Sequence, residues 1–279
     1  MDGHFRAFSF VDRITRIEPG GGIRGQYAIP PALDAFSASL VAEAVGQLAA
    51  WAAMAALDCS HRPVAGIAGT IELLSAVRPG QVLDLAADLE SVDTETVGYG
   101  GTAHADGIPV IRLLDCVGPM VPVEDFDDPK SVCDRLHLLR TVGAAPGAFG
   151  GLPALELERG GGEPGQSART ILPVPVAASF FADHFPRRPV FPGTLLMQAN
   201  LQTAAMLAAE VPAGDGAVWV PRIVSDVKLR AFIAPGDTLD LEAKRTGHSD
   251  TALSVTVESR IHQRLVGSAE IQFAPDVPP

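Results

Sequence analysis

The feature that most constrains the fold of this chain is an internal repeat. The segment IELLSAVRPGQVLDL at 71–85 matches VKLRAFIAPGDTLDL at 227–241, at an offset of 156 residues. The short runs EAVGQ at 43–47 and QANLQ at 198–202 match at an offset of 155, inside two Ala- and Leu-rich stretches. Two neighbouring matches at nearly one offset indicate that the 279 residues encode two copies of one structural unit.

Each copy has the same order of predicted elements. It begins with a strand, which is followed by a triple-glycine turn, a second strand and a long apolar helix. The glycine turns are predicted at Gly20–Gly22 and Gly160–Gly162. The helices are predicted at 39–57 and 193–210, and strands with alternating apolar residues follow each of them. The first strands are predicted at 8–18 and 152–158, and the later ones at 67–78, 81–93, 95–105 and 108–120, then at 220–233, 238–246, 252–260 and 263–274. A central helix wrapped by an antiparallel sheet, twice over, is an α+β fold.

The repeat divides the chain into three parts. Residues 1–122 form the first repeat and residues 149–279 the second. Residues 123–148 form a linker with an acidic run, a short predicted helix near 131–140 and a tail rich in Gly, Ala and Pro. At about 3.3 Å per extended residue this linker can span a small domain, so the two repeats can pack side by side.

Composition and charge exclude several classes of function. The chain carries 21 Lys and Arg against 33 Asp and Glu, a net charge of −12, which does not suit nucleic-acid binding. Its three cysteines have no CxxC spacing and predict free thiols rather than a disulfide frame or zinc site. The apolar run at 38–57 contains Glu43 and Gln47 and is interpreted as a buried helix, not a membrane span. No secretory signal is recognised, so a cytoplasmic location is expected.

The most specific motif is the loop HFPRRPVFPG at 184–193, directly before the second long helix. Three prolines within seven residues stiffen the loop and fix the direction of His184. Gly193 stands at the predicted helix start, where unpaired amides can stabilise a developing negative charge. A histidine alone is more often structural, so the hypothesis of a catalytic His184 depends on the surrounding pattern.

This loop resembles that of the hotdog-fold 3-hydroxyacyl-ACP dehydratases of fatty-acid synthesis, the FabA/FabZ type. The family pattern H-F-P-x-x-P-V-x-P-G is matched by 184–190 and 192–193. FVDRITRIEPG at 10–20 is similar to the opening strand of the family, and AEAVGQ at 42–47 to its helix. The resemblance implies a double hotdog, two hotdog repeats fused in one chain. It implies no metal or redox cofactor, and a substrate carried on the phosphopantetheine of acyl carrier protein (ACP).

Each repeat departs from the family pattern at one position. The family has an acidic residue fourteen positions after its histidine, but this chain has Gln198 there. Glu43 occupies the acidic position in the first repeat, but Ile29 stands fourteen residues before it. The first repeat is also about 15 residues shorter between its glycine turn and its helix, so its histidine loop is missing. Because sites of the family combine two paired hotdogs, the resemblance implies one intact site, formed by His184 and Glu43.

The resemblance gives each residue a role. His184 would remove the C2 proton of the acyl thioester, and Glu43, kept protonated by Ala, Val and Leu neighbours, would protonate the departing 3-hydroxyl. The Gly193 amide would bind the thioester carbonyl, and the Val190 carbonyl would orient the imidazole. Because ACP is acidic, we expect it to dock on a local basic surface formed by Arg187, Arg188, Arg222, Lys228 and Arg230.

Two alternatives stay open on the sequence alone. One is another hotdog enzyme, an acyl thioesterase or an enoyl-CoA hydratase, and the other is a non-catalytic acyl-binding subunit. The pattern is compatible with ACP or CoA as carrier, with fatty-acid or polyketide-type pathways, and with a homo-oligomer of double-hotdog units.

Overall fold

The computed structural model describes residues 4–214 and 216–276. Over these residues the chain forms thirteen strands and three α-helices. The strands are β1 (Arg13–Ile17), β2 (Gly22–Ala28), β3 (His61–Pro63), β4 (Ile67–Leu73), β5 (Val82–Val92), β6 (Thr96–Ala105), β7 (Ile108–Pro122), β8 (Glu158–Gly161), β9 (Ser167–Pro173), β10 (Val218–Leu229), β11 (Thr238–His248), β12 (Leu253–Ile261) and β13 (Arg264–Asp276). The helices are α1 (Ala38–Ala56), α2 (Pro129–Thr141) and α3 (Gly193–Ala208).

The strand order is the same in both halves of the chain. It is β1-β2-β5-β6-β7-β4 in the first half and β8-β9-β11-β12-β13-β10 in the second. The halves join where β4 pairs antiparallel with β10, with Ile71 opposite Val224. Strand β3 lies outside this repeated order and pairs with β7. The sequence repeat is thus expressed as one antiparallel sheet with two equivalent parts.

The two long helices form the centre of the core. Helix α1 packs on β5, β6 and β7, α3 packs on β9, β11 and β12, and the helices contact each other. Helix α1 lies so close to the sheet that a Cβ on Gly101 would be 2.5 Å from Val45 Cγ1 of the helix. By length and composition α1 could cross a membrane, but 67% of its most apolar window is buried inside the protein. Its apolar composition is explained by contacts on several sides.

The predicted position of the second glycine turn is wrong. Residues 152–157 are not a strand, and Gly160 and Gly161 lie within β8, where Gly161 pairs with Arg169. The chain reverses after them, where Glu163 accepts backbone hydrogen bonds from Gln166 and Ser167. In the first half the turn does contain Gly20, whose φ of 73° suits glycine.

The segment between the halves is an ordered part of the molecule. Helix α2 begins at Pro129, and its N-cap Asp128 accepts a hydrogen bond from the Ser131 amide at 2.8 Å. The buried face of α2, with Val132 and Leu139, joins the main hydrophobic core and packs against β1. The segment therefore holds a fixed position beside the first half.

Candidate active site

His184 lies in the long loop between β9 and α3. Its Nδ1 is 2.8 Å from the carbonyl oxygen of Val190. With Nδ1–H donating to that carbonyl, Nε2 keeps a free lone pair. Burial lowers the pKa of His184 below its ordinary value, although the nearby Glu43 carboxylate acts in the opposite direction. The imidazole is therefore neutral at pH 7 and can accept a proton.

Glu43 is the sixth residue of α1, and both of its carboxyl oxygens have hydrogen-bond partners. Gln47 Nε2 donates to one at 2.9 Å, and Thr194 Oγ1 donates to the other at 2.6 Å. Thr194 belongs to α3, so this contact joins the two halves of the chain. Two polar side chains thus face the carboxyl group, in place of the purely aliphatic surroundings expected from the sequence. A threonine hydroxyl can donate or accept, so it can serve either protonation state of Glu43.

Gly193 is the first residue of α3, and two observations explain why it is glycine. The first N–H groups of a helix have no acceptor within the helix, so this amide is available to a ligand. A Cβ at this position would clash with Leu229 Cδ1 and lie 3.2 Å from Ala65 Cβ. The close approach of the helix start to its neighbours therefore favours a residue without a side chain.

His184, Glu43 and Gly193 line one cavity of about 200 Å³. Its walls away from these residues are mostly apolar and come from α1, β4 and β7: Ala50, Met54, Ile71, Leu113 and Val117. A mostly apolar cavity with a few converging polar groups is the usual form of a small-molecule site.

Gln198 lies on the opposite side of the helix pair. It is the sixth residue of α3, as Glu43 is of α1, and its side-chain oxygen accepts a hydrogen bond from Ser37 Oγ at 3.1 Å. Ile29, fourteen residues before Glu43, is 1% exposed and belongs to the core. The connection before α1 covers only residues 29–37, whereas that before α3 covers residues 174–192. Gln198 does not line the cavity that contains His184.

The Asp183 carboxylate, directly before His184 in the sequence, binds the segment at 5–9 to the histidine loop. Asp183 accepts hydrogen bonds from the backbone amides of Phe5 and Phe8 and from the Ser9 hydroxyl. Burial raises the pKa of Asp183, and these donors oppose that shift. Phe5, Phe8 and Ser9 also line the cavity. The segment at 5–9 thus forms part of the wall beside His184.

The expected docking residues Arg187 and Arg188 are exposed and lie against the segment that follows β7. Arg187 donates to the Glu124 carbonyl oxygen at 2.8 Å and lies 3.5 Å from the Asp128 carboxylate. The guanidinium of Arg188 lies 4.9 Å from the ring centre of Phe232 and 5.2 Å from that of Phe126. Both arginines therefore have defined positions within the histidine loop.

The other three expected docking residues are spread along β10 and just beyond it. Lys228 and Arg230 flank Leu229, which lines the cavity. Lys228 lies 3.4 Å from Asp226, and Arg230 donates to Ser268 Oγ at 2.9 Å. Arg222 is paired with Asp276 at 3.0 Å, and an extended strand places it about 23 Å from Leu229. Arg222 is thus distant from the end of β10 near Lys228 and Arg230.

Sequence reasoning missed several side chains around the cavity. Thr194 and Asp183 lie next to motif residues and could have been found from their polar character in an apolar segment. Gln47 was noticed in the repeat and as a polar residue within the apolar helix, but not as a partner of Glu43. Arg62 lies in a strand of three residues without any recognisable pattern. Among residues 4–214 and 216–276, no group of three or more His, Cys, Asp or Glu could hold a metal ion.

Comparisons with known sequences point to one family. The family model described as ApeI-like, ApeI dehydratase, matches residues 162–268. The 3-hydroxyacyl-(acyl-carrier-protein) dehydratase FabZ of Roseiflexus sp. (strain RS-1) is 33% identical over 112 residues, 40% of this chain and 78% of that relative. The FabZ of Acetivibrio thermocellus is 32% identical over 116 residues, 40% of this chain and 77% of that relative.

Solved structures with the same fold match almost the full chain. A putative oleoyl thioesterase from Lactobacillus plantarum has a TM-score of 0.60 at 12% identity, covering 93% of this chain and 98% of its own. A tesB protein from Mycobacterium avium subs paratuberculosis has a TM-score of 0.57 at 12% identity, covering 95% and 96%. At this identity the likeness is one of fold, and both neighbours are hotdog proteins.

Proposed function

Because this chain belongs to the hotdog-fold family of 3-hydroxyacyl-ACP dehydratases, we propose that it is a hydro-lyase acting on acyl carrier protein. It converts a (3R)-3-hydroxyacyl thioester into the trans-2-enoyl thioester, in chain elongation of a fatty-acid or polyketide-type pathway in the cytoplasm. We interpret the fold as a fused double hotdog, with repeats at 1–122 and 149–279 and a linker at 123–148. The equal strand orders of the two halves support this interpretation.

One observation carries the proposal: His184 and Glu43 come from different halves of the chain and line the same cavity. The dehydration needs a base at C2 and an acid at the 3-hydroxyl, and these are the two kinds of group present. The corresponding residues Ile29 and Gln198 cannot exchange protons at neutral pH. The proposed enzyme therefore has one active site per chain.

His184 is the proposed base. The Val190 carbonyl holds the imidazole in the tautomer that leaves Nε2 unprotonated, and Nε2 takes the C2 proton. The pKa of His184 is lowered by burial, so the group is in its accepting form at neutral pH before substrate binds. The electrons of the C2–H bond pass toward the thioester carbonyl, where negative charge develops.

Glu43 is the proposed acid, and Gly193 stabilises the intermediate. The Gly193 amide donates to the thioester oxygen that gains charge. Glu43 gives its proton to the 3-hydroxyl, the C3–O bond breaks and water leaves as the C2–C3 double bond forms. The carboxylate is then held by Thr194 and Gln47, and the proton on His184 returns to Glu43 before the next cycle. The reaction moves only protons and water, so it requires no redox cofactor, and we propose that His184, Glu43 and the Gly193 amide carry it without a metal.

The test is turnover of 3-hydroxybutyryl-ACP by the full chain, measured at the absorbance of the enoyl thioester, with free ACP thiol measured in parallel. We expect enoyl product without thiol release, and a loss of about 10³-fold in kcat for His184→Ala. Release of thiol without enoyl product would identify a thioesterase. Saturable binding of the acyl-ACP without either product would identify an acyl-binding protein, and both results would overturn the proposal.

A further inference from the structure

Arg62 is a mostly buried cation that has no role in the proposed steps of the reaction. It lies on β3, the strand without a counterpart in the second half, and its side chain is 15% exposed. The Arg62 guanidinium lies 3.4 Å from the Asp127 carboxylate, and Asp127 is 2% exposed and also binds His4 Nε2 at 3.1 Å. Within the described residues the Nε of Arg62 is buried without a hydrogen-bond partner. An incompletely paired buried charge costs stability, which favours a role at the adjoining site.

The contacts of Arg62 lead directly to the proposed base. Its guanidinium carbon lies 3.9 Å from the ring centre of Phe185. The Phe185 ring stacks on the His184 imidazole, with ring centres 4.2 Å apart and an angle of 22° between the ring planes. Guanidinium, phenyl ring and imidazole thus form a continuous stack, and Arg62 lines the same cavity as His184 and Glu43.

The charges around His184 come from three elements. Glu43 on α1 raises the pKa of the imidazole, and Arg62 on β3 lowers it, in addition to the lowering by burial. Asp183 precedes His184 in the same loop, and its carboxylate faces the amides of Phe5 and Phe8. Burial lowers the pKa of Arg62 to about 10, while Asp127 opposes this shift, so Arg62 is charged at neutral pH.

We propose that Arg62 is a positioning residue for the dehydration. Its guanidinium joins the Phe185–His184 stack to the Asp127 carboxylate, and its positive charge disfavours protonation of the His184 imidazole. The inference rests on the proposed function, since it concerns the same histidine. In this proposal β3, the extra strand of the first half, supports the single site that contains His184.

The test compares Arg62→Met, which removes the charge, with Arg62→Lys, which keeps the charge but not the planar stacking group. The double variant Arg62→Met/Asp127→Asn removes the cation together with its partner and leaves no unpaired buried carboxylate. It therefore replaces the single variant if Arg62→Met fails to fold. Arg135→Met is the matched control, because Arg135 is a second partly buried arginine on the same cavity that has no contact with the Phe185 stack.

The first measurement is the pKa of His184 by NMR in the full chain without substrate, with the signal assigned by its loss in His184→Gln. We expect a rise of about one unit in both Met variants, because a cation that disfavours the protonated imidazole is removed. Arg62→Lys and Arg135→Met keep the pKa of His184 close to that of the unmodified protein. An unchanged pKa in both Met variants overturns the inference.

The second measurement is the pH profile of kcat/KM on 3-hydroxybutyryl-ACP. His184 works unprotonated, so activity falls as pH drops through its pKa, and the acid limb of Arg62→Met moves to higher pH by the same amount. Arg62→Lys lowers kcat without moving that limb. A lower kcat at every pH with no shift would reduce Arg62 to a structural residue. If the unmodified protein makes no enoyl product, the proposed function fails, while the NMR shift still decides whether Arg62 acts on His184.

Discussion

The starts of the two long helices occupy equivalent places in the molecule but present different chemistry. At the start of α3, Thr194 donates to Glu43 of α1, and the long loop before it carries His184. At the start of α1, Ser37 donates to Gln198 of α3, and the short loop before it carries Ile29 in the core. In both places a hydroxyl at one helix start holds the sixth residue of the other helix.

This difference distinguishes the features that serve packing of the two helices from those that serve the proposed catalysis. The contact between a hydroxyl and the sixth residue is present at both places, so it serves helix pairing. A histidine and a carboxyl group occur only at one. At the other, Phe36, directly before Ser37, packs against the rings of Tyr27 and Phe149 at 5.6 and 6.3 Å between centres. Before α1, aromatic side chains therefore pack where the second half has its histidine loop.

The largest expected effect comes from exchanging the two sixth residues. Glu43→Gln should reduce kcat about 10³-fold, because an amide cannot protonate the departing hydroxyl. Adding Gln198→Glu should not restore turnover, since residue 198 does not line the cavity of His184. The double variant His184→Ala/Glu43→Gln should be little worse than either single one, because both groups act on one transition state.

The measurement is kcat on 3-hydroxybutyryl-ACP, with circular dichroism to verify folding. Full activity in Glu43→Gln, or rescue of that variant by Gln198→Glu, would contradict the assignment of Glu43 and the view that the two helix starts differ in function.

An intermediate effect is expected from the basic residues that only the long loop carries. Arg187 and Arg188 are exposed beside His184, whereas the short loop at 29–37 has no basic residue. Arg187→Glu/Arg188→Glu should raise KM for an ACP substrate about tenfold, because a local attraction to an acidic carrier becomes a repulsion. KM for a short N-acetylcysteamine thioester should change little. Arg13→Glu/Arg16→Glu on β1 is the matched control, with the same change of charge on another exposed surface.

Equal losses on both substrates would mean that the two arginines support the loop through Asp128, Phe126 and Phe232 rather than a carrier. The ratio of the two KM values is therefore the decisive quantity.

The sequence was sufficient to predict those structural features that depend on a local motif or on a periodic pattern of apolar residues. The repeat at 71–85 and 227–241 predicted the common order of strands, and helical periodicity placed α1 and α3 within about two residues. The Val190 carbonyl was expected as the partner of His184 from the family resemblance of the loop, and it lies 2.8 Å from His184 Nδ1.

The remaining features depend on contacts between distant segments. The glycines at 160–162 indicate a turn, but pairing of Gly161 with Arg169 extends β8 and moves the turn to the following residues. Thr194 is noticeable in sequence as a polar residue in an apolar segment, but only the packing of the two halves brings it to Glu43. Arg62 has ordinary local surroundings in sequence, and the same packing brings it close to His184. A single sequence without related sequences carries no record of such pairs.

The smallest expected effect concerns the helix start without a histidine. Ser37→Ala removes both the bond to Gln198 and the N-cap of α1, and Gln198→Ala removes the first of these. Each should lower the free energy of unfolding by about 1 kcal/mol in urea titrations. Both should keep most of the dehydratase activity, because neither residue faces His184. Thr194→Val is the matched change at the other helix start, and it should lower kcat as well, since Thr194 holds Glu43. If Gln198→Ala abolished turnover in a folded protein, the partner of His184 would lie in its own half, and the functional difference between the two helix starts would be refuted.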